Sequence, residues 1–511
     1  MTWKPKYLLL LLFISLGGIA PSNAANAPVN PKILHVINRI SFGPRPGDIQ
    51  KVESMGVERY IQQQLSPNSI PESPSLNAQL LQLNTLQLTS AQLLNEYSRT
   101  SPGQKTTPEQ RLAAQKRARE VLAESVQARL LQATISNRQL QEVMVDFWYN
   151  HFNVYANKGR DVSRQAASRL RLLVGAYEQQ AIRPYALGRF RDLLGATARH
   201  PAMLFYLDNW QNTAPGSPGA RGRFQGLNEN YARELMELHT LGVDGGYTQQ
   251  DVIALARILT GWGFSRPKQQ INDSSGFYFD PKRHDFGDKV FLKQTIKGSG
   301  MAEGEQALDI LARSPATAHH ISYKLAQYFV LDNPPSALVD HLTERFLSTD
   351  GDIRAVLDTL FHSKEFWDSK NFNTKFKTPY EYAISAVRAT GSEVKNTKPI
   401  VKILQQLGMP LYGYQTPEGY KNTQQAWLNP DAMNRRLSFA TAIASGRLQL
   451  STIPNNQDNN DQINPIQPVD ALQLADTLGN SFSPQTQSAI ASSPPQLRAA
   501  LILGSPEFMR R

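Results

Sequence analysis

Apolar positions recur every three to four residues along most of the chain, and Gly, Pro or polar clusters interrupt them often. That rhythm predicts many helices of modest length. Residues 111–135 combine Ala, Leu, Arg, Glu and Gln without Gly or Pro, the composition of a long helix with an exposed face. Further helices are expected over 138–152, 163–180, 188–199 and 201–208, the last opened by Pro201, whose fixed φ suits a first turn. Polar, Gly- or Pro-rich loops are expected at 66–75, 212–226 and 451–468. Only residues 276–292 break the helical habit. There Phe277-Tyr278-Phe279 and Val290-Phe291-Leu292 flank a turn-rich centre and predict a small β-hairpin with an extended loop. The expected fold is mainly α, a single large multi-helix domain over residues 31–511 with one small hairpin.

The N-terminus has a different pattern. Lys4 and Lys6 precede an apolar run over 7–16, followed by Ser22-Asn23-Ala24-Ala25. This is the order of a secretory signal peptide, residues 1–24, cleaved near Ala24. The expected location is therefore periplasmic or extracellular, with an uncleaved anchor as the rival reading. No later stretch approaches the roughly 18 apolar residues a span requires, so no transmembrane span is expected in the mature chain.

Composition narrows the chemistry. A chain of 511 residues, 41% of them hydrophobic, can bury a large core. It has no cysteine, which excludes disulfides, thiolate metal sites, iron–sulfur clusters and a cysteine nucleophile. The net charge of +11 is concentrated in residues 101–200, where 16 Lys and Arg face 8 Asp and Glu. Solvated helix faces explain this; so does a surface for an anionic envelope polymer or lipid headgroups. Export and the lack of interleaved aromatics argue against nucleic acid.

Residues 226–262 carry the densest polar pattern. On a helical wheel Glu229, Asn230, Arg233, Glu234 and Glu237 share one side, within roughly 140°, and Tyr231, Ala232, Leu235, Met236 and Leu238 fill the other. Arg233 stands one turn from Glu229 and from Glu237, the spacing of helix ion pairs. Such a stripe is either a solvated face or one wall of a cleft. In a cleft its carboxylates, with Asn228 and Asn230, suit a divalent metal, substrate contacts or acid–base work. Thr248 and Asp251 predict a capping box for the next helix, which is apolar on most sides and ends at Trp262.

The histidines divide by setting. His239 falls in the apolar sector and reads as a core residue. His151 shares the apolar face of its helix with Leu140, Met144 and Phe147, so it is expected buried and hydrogen-bonded, with a ligand or acid–base role as the alternative. His284-Asp285, in the hairpin loop, is a stronger functional candidate because sites favour loops on rigid scaffolds. His319, His320 and His341 fall in ordinary amphipathic helix. The chain has no His-Glu-x-x-His, Gly-x-Ser-x-Gly, P-loop, EF-hand or dinucleotide fingerprint.

Seven ordered segments then have a familiar look: HVINRISFGPRPGDI, EVMVDFWYNHFNVY, FRDLLGATARHPAMLFYLDN, GLNENYARELMELHTLGVDGGYTQQDV, ARILTGW, FYFDPKRHDFG and GSPEFMRR. Together they resemble the bacterial domain-of-unknown-function family 1800 over nearly the whole mature chain. The resemblance implies a mostly helical exported protein and supplies no catalytic residue. It also implies a potential partner, since such proteins are often encoded beside an exported family resembling phosphatases and sulfatases. Its motifs concentrate at Trp148 and His151, Asn228 to Glu237, Thr260-Gly261-Trp262 and His284-Asp285. Two functions follow. One is a hydrolase or lyase of an envelope or extracellular polymer, with Glu234, Glu237, His284 and Asp285 as candidate catalytic groups. His151, Asn228, Glu229, Asn230, Arg233 and Trp262 are its candidate substrate contacts. The other is a non-catalytic binding or assembly protein.

Overall fold

In the computed structural model, residues 29–97, 107–158, 164–222, 224–265, 274–451 and 467–511 are described. The expected leader and most of the 451–468 loop lie outside them. Among the described residues there are 24 α-helical segments and four three-residue strands. The fold is mainly α, as the periodicity predicts. Helix starts follow local chemistry: Pro108, Pro201, Pro315 and Pro379 occupy first turns, where a missing N–H costs nothing. The expected Thr248–Asp251 capping box opens the helix Gln249–Ile258. The long helix runs Pro108–Ile135 and the next Gln139–His151. The 163–180 stretch forms the helix Arg164–Tyr177 and then a wider π-type turn, Glu178–Ile182, which carries the fully buried Glu178. No described helix is long and apolar enough to cross a membrane.

The strands pair differently from the expected hairpin. Phe277–Phe279 (β2) pairs with Trp262–Phe264 (β1), and Lys289–Phe291 (β3) with Gln294–Ile296 (β4), each antiparallel. Two local features explain the difference. Gly261, at φ +80°, brings the chain so close to β2 that a Cβ would lie 2.5 Å from the Asp280 carbonyl. Leu292 and Lys293 both take positive φ, giving β3 its own two-residue turn. Neither residue announces such a turn, since Asn-Gly or Asp-Gly usually supplies it. Asp251 helps to hold the turn by accepting from the Leu292 amide at 2.7 Å.

A connected apolar core runs from Ile33 to Met509. Ionic groups are threaded through it. Arg129 is buried and pairs with Asp146 (2.5 Å) and Glu178 (3.0 Å), while Arg183 pairs with Glu142 at 2.5 Å. Arg191 binds Glu305 and Asp309, and Arg199 binds Glu305. Several arginines of the basic 101–200 segment are thus committed to carboxylates within the fold.

Candidate functional site

The Gln139–His151 helix and the helix Pro315–Phe329 form two sides of a cavity of about 310 Å³. Asp146, Asn150 and His151 line it from the first helix, and Lys324 and Tyr328 from the second. Glu381, from the helix Pro379–Ala389, and the 418–423 loop complete the wall. Residues 324 and 328 stand one helical turn apart and so present neighbouring groups to the same space. The volume is at the small end for ligand sites and suits one monomer-sized unit.

His151 closes its helix among aromatic rings: Phe147 stacks parallel to it, and Trp148 and Phe152 meet it edge-on. Trp148 anchors the segment by donating from Nε1 to the Ala186 carbonyl at 2.9 Å. The His151 Nε2 lies 3.1 Å from the His239 carbonyl oxygen, which can only accept, so Nε2 carries the proton. Nδ1 must then accept, and Lys324 Nζ donates to it at 2.9 Å. Burial, then the Lys324 charge, holds the His151 pKa well below the usual imidazole value. His239 and His320 lie alongside, with ring centroids 6.2 and 6.1 Å from His151, both pushed down to about 3 chiefly by burial. Lys324 therefore stands among neutral imidazoles. Burial lowers its own pKa to about 8, and among the described residues it has no carboxylate partner.

The other end of the cavity is acidic. Burial raises the Asp146 carboxyl to about 6 against the pull of Arg129, with Glu381 and Glu178 adding repulsion. Its Oδ1 is held by Arg129, whose guanidinium centre lies 5.0 Å from the Tyr149 ring and 5.4 Å from the rings of Tyr380 and Tyr412. Glu381 is tied to Arg511 at 2.8 Å and to the Thr378 amide at 2.8 Å. Burial and then Glu381, the carboxylate its hydroxyl faces, push the Tyr328 phenol well above its ordinary value.

The loop wall is fastened through backbone groups. Asn150 donates to the Tyr420 carbonyl at 2.8 Å and accepts from the Tyr420 amide at 2.7 Å. Gly419 has φ +74°, and a Cβ there would fall 2.2 Å from the Asn150 carbonyl, so only glycine fits. Asn422 presents a buried side-chain amide whose oxygen and nitrogen both lack partners.

The residues singled out from sequence fall in three places. His151 lies in the cavity, and its burial matches its position on the apolar face. The stripe contributes no lining residue to it: the Glu234 pKa is raised by burial first and then by Glu237, with the cavity residue Glu418 adding only a weaker repulsion. Arg233 and Glu229 pair at 3.4 Å and are 41% and 37% exposed, with Gln249 bridging them. Asn230 donates to the Leu207 carbonyl, and the Asn228 amide donates to Asn212.

His284 and Asp285 lie elsewhere and share no hydrogen bond or ion pair with the stripe. His284 is buried between the Thr260 carbonyl (2.8 Å) and Glu303 (3.0 Å). Glu303 also accepts from Lys289 at 2.5 Å and from the amides of Ser299 and Gly300. Asp285 pairs with Arg257 at 2.7 Å. Trp262 is buried against Gly304, where a Cβ would lie 2.1 Å from its ring. Thr260-Gly261-Trp262 and His284-Asp285 thus form a latch between the small sheets and the helix Met301–Ala312. Replacing His284 with Ala is expected to destabilise the fold by about 1–3 kcal/mol, because Glu303 loses a buried donor. Urea denaturation checks this. A native midpoint would remove the latch role.

A larger groove of about 1060 Å³ runs beside β3, β4 and the Gln249–Ile258 helix. It is open, and two of its cations are already paired, Arg257 with Asp285 and Arg313 with Asp350. Among the described residues no group of three His, Asp or Glu is placed to hold a metal ion.

Sequence inspection passes over Asp146, Lys324, Tyr328 and Glu381. The available signal is weak: His320, Lys324 and Tyr328 recur every four residues on one face of an otherwise ordinary helix.

Fold and cavity together define a large, mainly helical protein with a partly open site between two core helices. The chain matches the family described as "Protein of unknown function (DUF1800)" over residues 35–510, and it belongs to that family. No curated protein and no solved structure matches it.

Proposed function

We propose that this protein is an exported hydrolase or lyase that acts on units of an envelope or extracellular polymer, with its centre in the cavity of Asp146, His151, Lys324 and Tyr328. The observation that carries this reading is Lys324, a part-buried amine held by a neutral imidazole, facing a cavity and unmatched by any described carboxylate. A lysine brought to about 8 supplies both an ammonium donor and a useful fraction of free amine near neutrality. Asp146 provides a second base, and the Tyr328 hydroxyl, beside Glu381, a second donor. Hydrolysis and elimination both need a base and a proton donor about a reacting centre, and two adjacent helical turns offer them here. Export is inferred from the Lys4/Lys6, apolar and Ala24 order of the N-terminus.

The test incubates the purified protein with a panel of envelope and extracellular polymers and follows soluble fragments by mass spectrometry. Wild type releases fragments from at least one polymer. Lys324→Met lowers the rate by about 10²-fold or more, the usual scale for loss of a general acid or base, with its helical circular-dichroism spectrum retained. Undiminished rates in Lys324→Met and Asp146→Asn, both folded, would refute the assignment. So would the absence of fragments from every polymer.

A further inference from the structure

The cavity has two chemically distinct ends. At one, the Lys324 ammonium has three donors, and the structure gives it one acceptor, His151 Nδ1. The flanking imidazoles of His151, His239 and His320 carry no negative charge to offset it. Replacing this ammonium's hydration needs an anionic acceptor, and no described carboxylate provides one. At the other end, Asp146 spends Oδ1 on Arg129, while Oδ2 has no hydrogen-bond partner in the described structure. Its side chain remains 12% exposed and lines the cavity. Glu381 adds negative charge beside it. The same lining includes the Tyr328 hydroxyl, which faces Glu381, and the buried side-chain amide of Asn422, which has no partner in the described structure. Asp146 and His151 stand five residues apart on one helix, about 7.5 Å of rise, a span closer to the length of a dipeptide than to that of a single amino acid. Glu418 in the wall opposes a polyanion, which disfavours a ligand that satisfies Lys324 alone with many like charges.

We infer that the cavity recognises a zwitterionic unit of dipeptide size, its carboxylate on Lys324 and its protonated amine on Asp146. The substrate class within the function proposed above is then a polymer whose ends or branches carry amino-acid units, and in that respect the inference rests on that reading. The contacts are reversible: the carboxylate accepts from Lys324 Nζ, the amine donates to Asp146 Oδ2, and Tyr328 and Asn422 bond the intervening amide.

The test measures binding of alanylalanine, its N-acetyl derivative and its C-terminal amide to the full chain at neutral pH by calorimetry. Glucose serves as the uncharged control. Wild type binds alanylalanine, and blocking either charged end weakens binding by about tenfold or more, the scale of a lost charge-assisted hydrogen bond. Lys324→Met binds the free dipeptide and its amide equally, while still favouring the free amine over the acetylated form. Lys324→Gln repeats the measurement should the Met variant fail to fold. Equal binding of all three peptides, or no peptide binding, would overturn the inference. Polymer cleavage without peptide binding rejects the inference and keeps the enzyme reading, whereas peptide binding without turnover of any polymer does the reverse.

Discussion

Arg129→Ala is expected to cost the fold about 3–5 kcal/mol, the range for breaking a buried ion pair by removing one partner. The expectation follows from what the guanidinium joins. It sits at 5% exposure between Asp146 and Glu178, with the rings of Tyr149, Tyr380 and Tyr412 around it. Alanine leaves Asp146 buried with no cation and Glu178 with only the more distant Arg183 at 3.7 Å. Lysine is no substitute, because a single ammonium cannot serve two carboxylates through a planar fork or stack on tyrosine in the same way. The measurement is a guanidinium chloride titration followed by circular dichroism. A variant within 1 kcal/mol or so of wild type would mean that the network relaxes, contrary to the packing described.

Lys324→Met is expected to act in the opposite direction on stability. Burial lowers this lysine from its ordinary 10.5 to about 8, so the folded state holds its proton less tightly than the unfolded chain. Below about 8 both states are charged, and the folded state bears the whole desolvation cost. Between about 8 and 10.5 the unfolded chain binds the extra proton, so wild-type stability rises with pH across that window relative to the variant. Methionine removes the cost and fills the same volume. At pH 7 the variant should be more stable by about 2–3 kcal/mol, since each tenfold loss of proton affinity on folding costs about 1.4 kcal/mol, and the gap should close towards pH 10.5. Paired urea midpoints at pH 7 and pH 10 check both the size and the trend. A variant weaker than wild type at pH 7 would show that the ammonium is stabilised in place. The combination of higher stability and lost turnover is the pattern expected where a site is held at the expense of the fold.

Helices were legible because their determinants are local. Pro108, Pro201 and the Thr248–Asp251 box lie within a turn of the boundaries they set. Strand pairing was less so. β2 and β3 are visible as apolar triplets, but β2 chooses β1 through Gly261 and the buried Trp262, a contact formed in three dimensions. The site was harder still. Residues 146, 151, 324 and 381 belong to three helices, and on a wheel each is a single polar group on a largely apolar face. His151 could be flagged as buried, whereas its importance here comes from Lys324, which lies 173 residues away in sequence. His284 was conspicuous because it sits beside a carboxylate in a loop, but its ring is fully engaged by Thr260 and Glu303.

The fastening of the 418–423 loop has a consequence for timing. Asn150 grips Tyr420 with a donor and an acceptor at once, and Gly419 rests against the same residue's carbonyl with no side chain between. Both bonds belong to one side chain, so a single rotamer change at Asn150 releases them together. The loop is thus held by one amide rather than by many contacts, and such a flip is a fast event. Asn150 is therefore the catch on that flank, and the loop's freedom follows the rotamer of one residue.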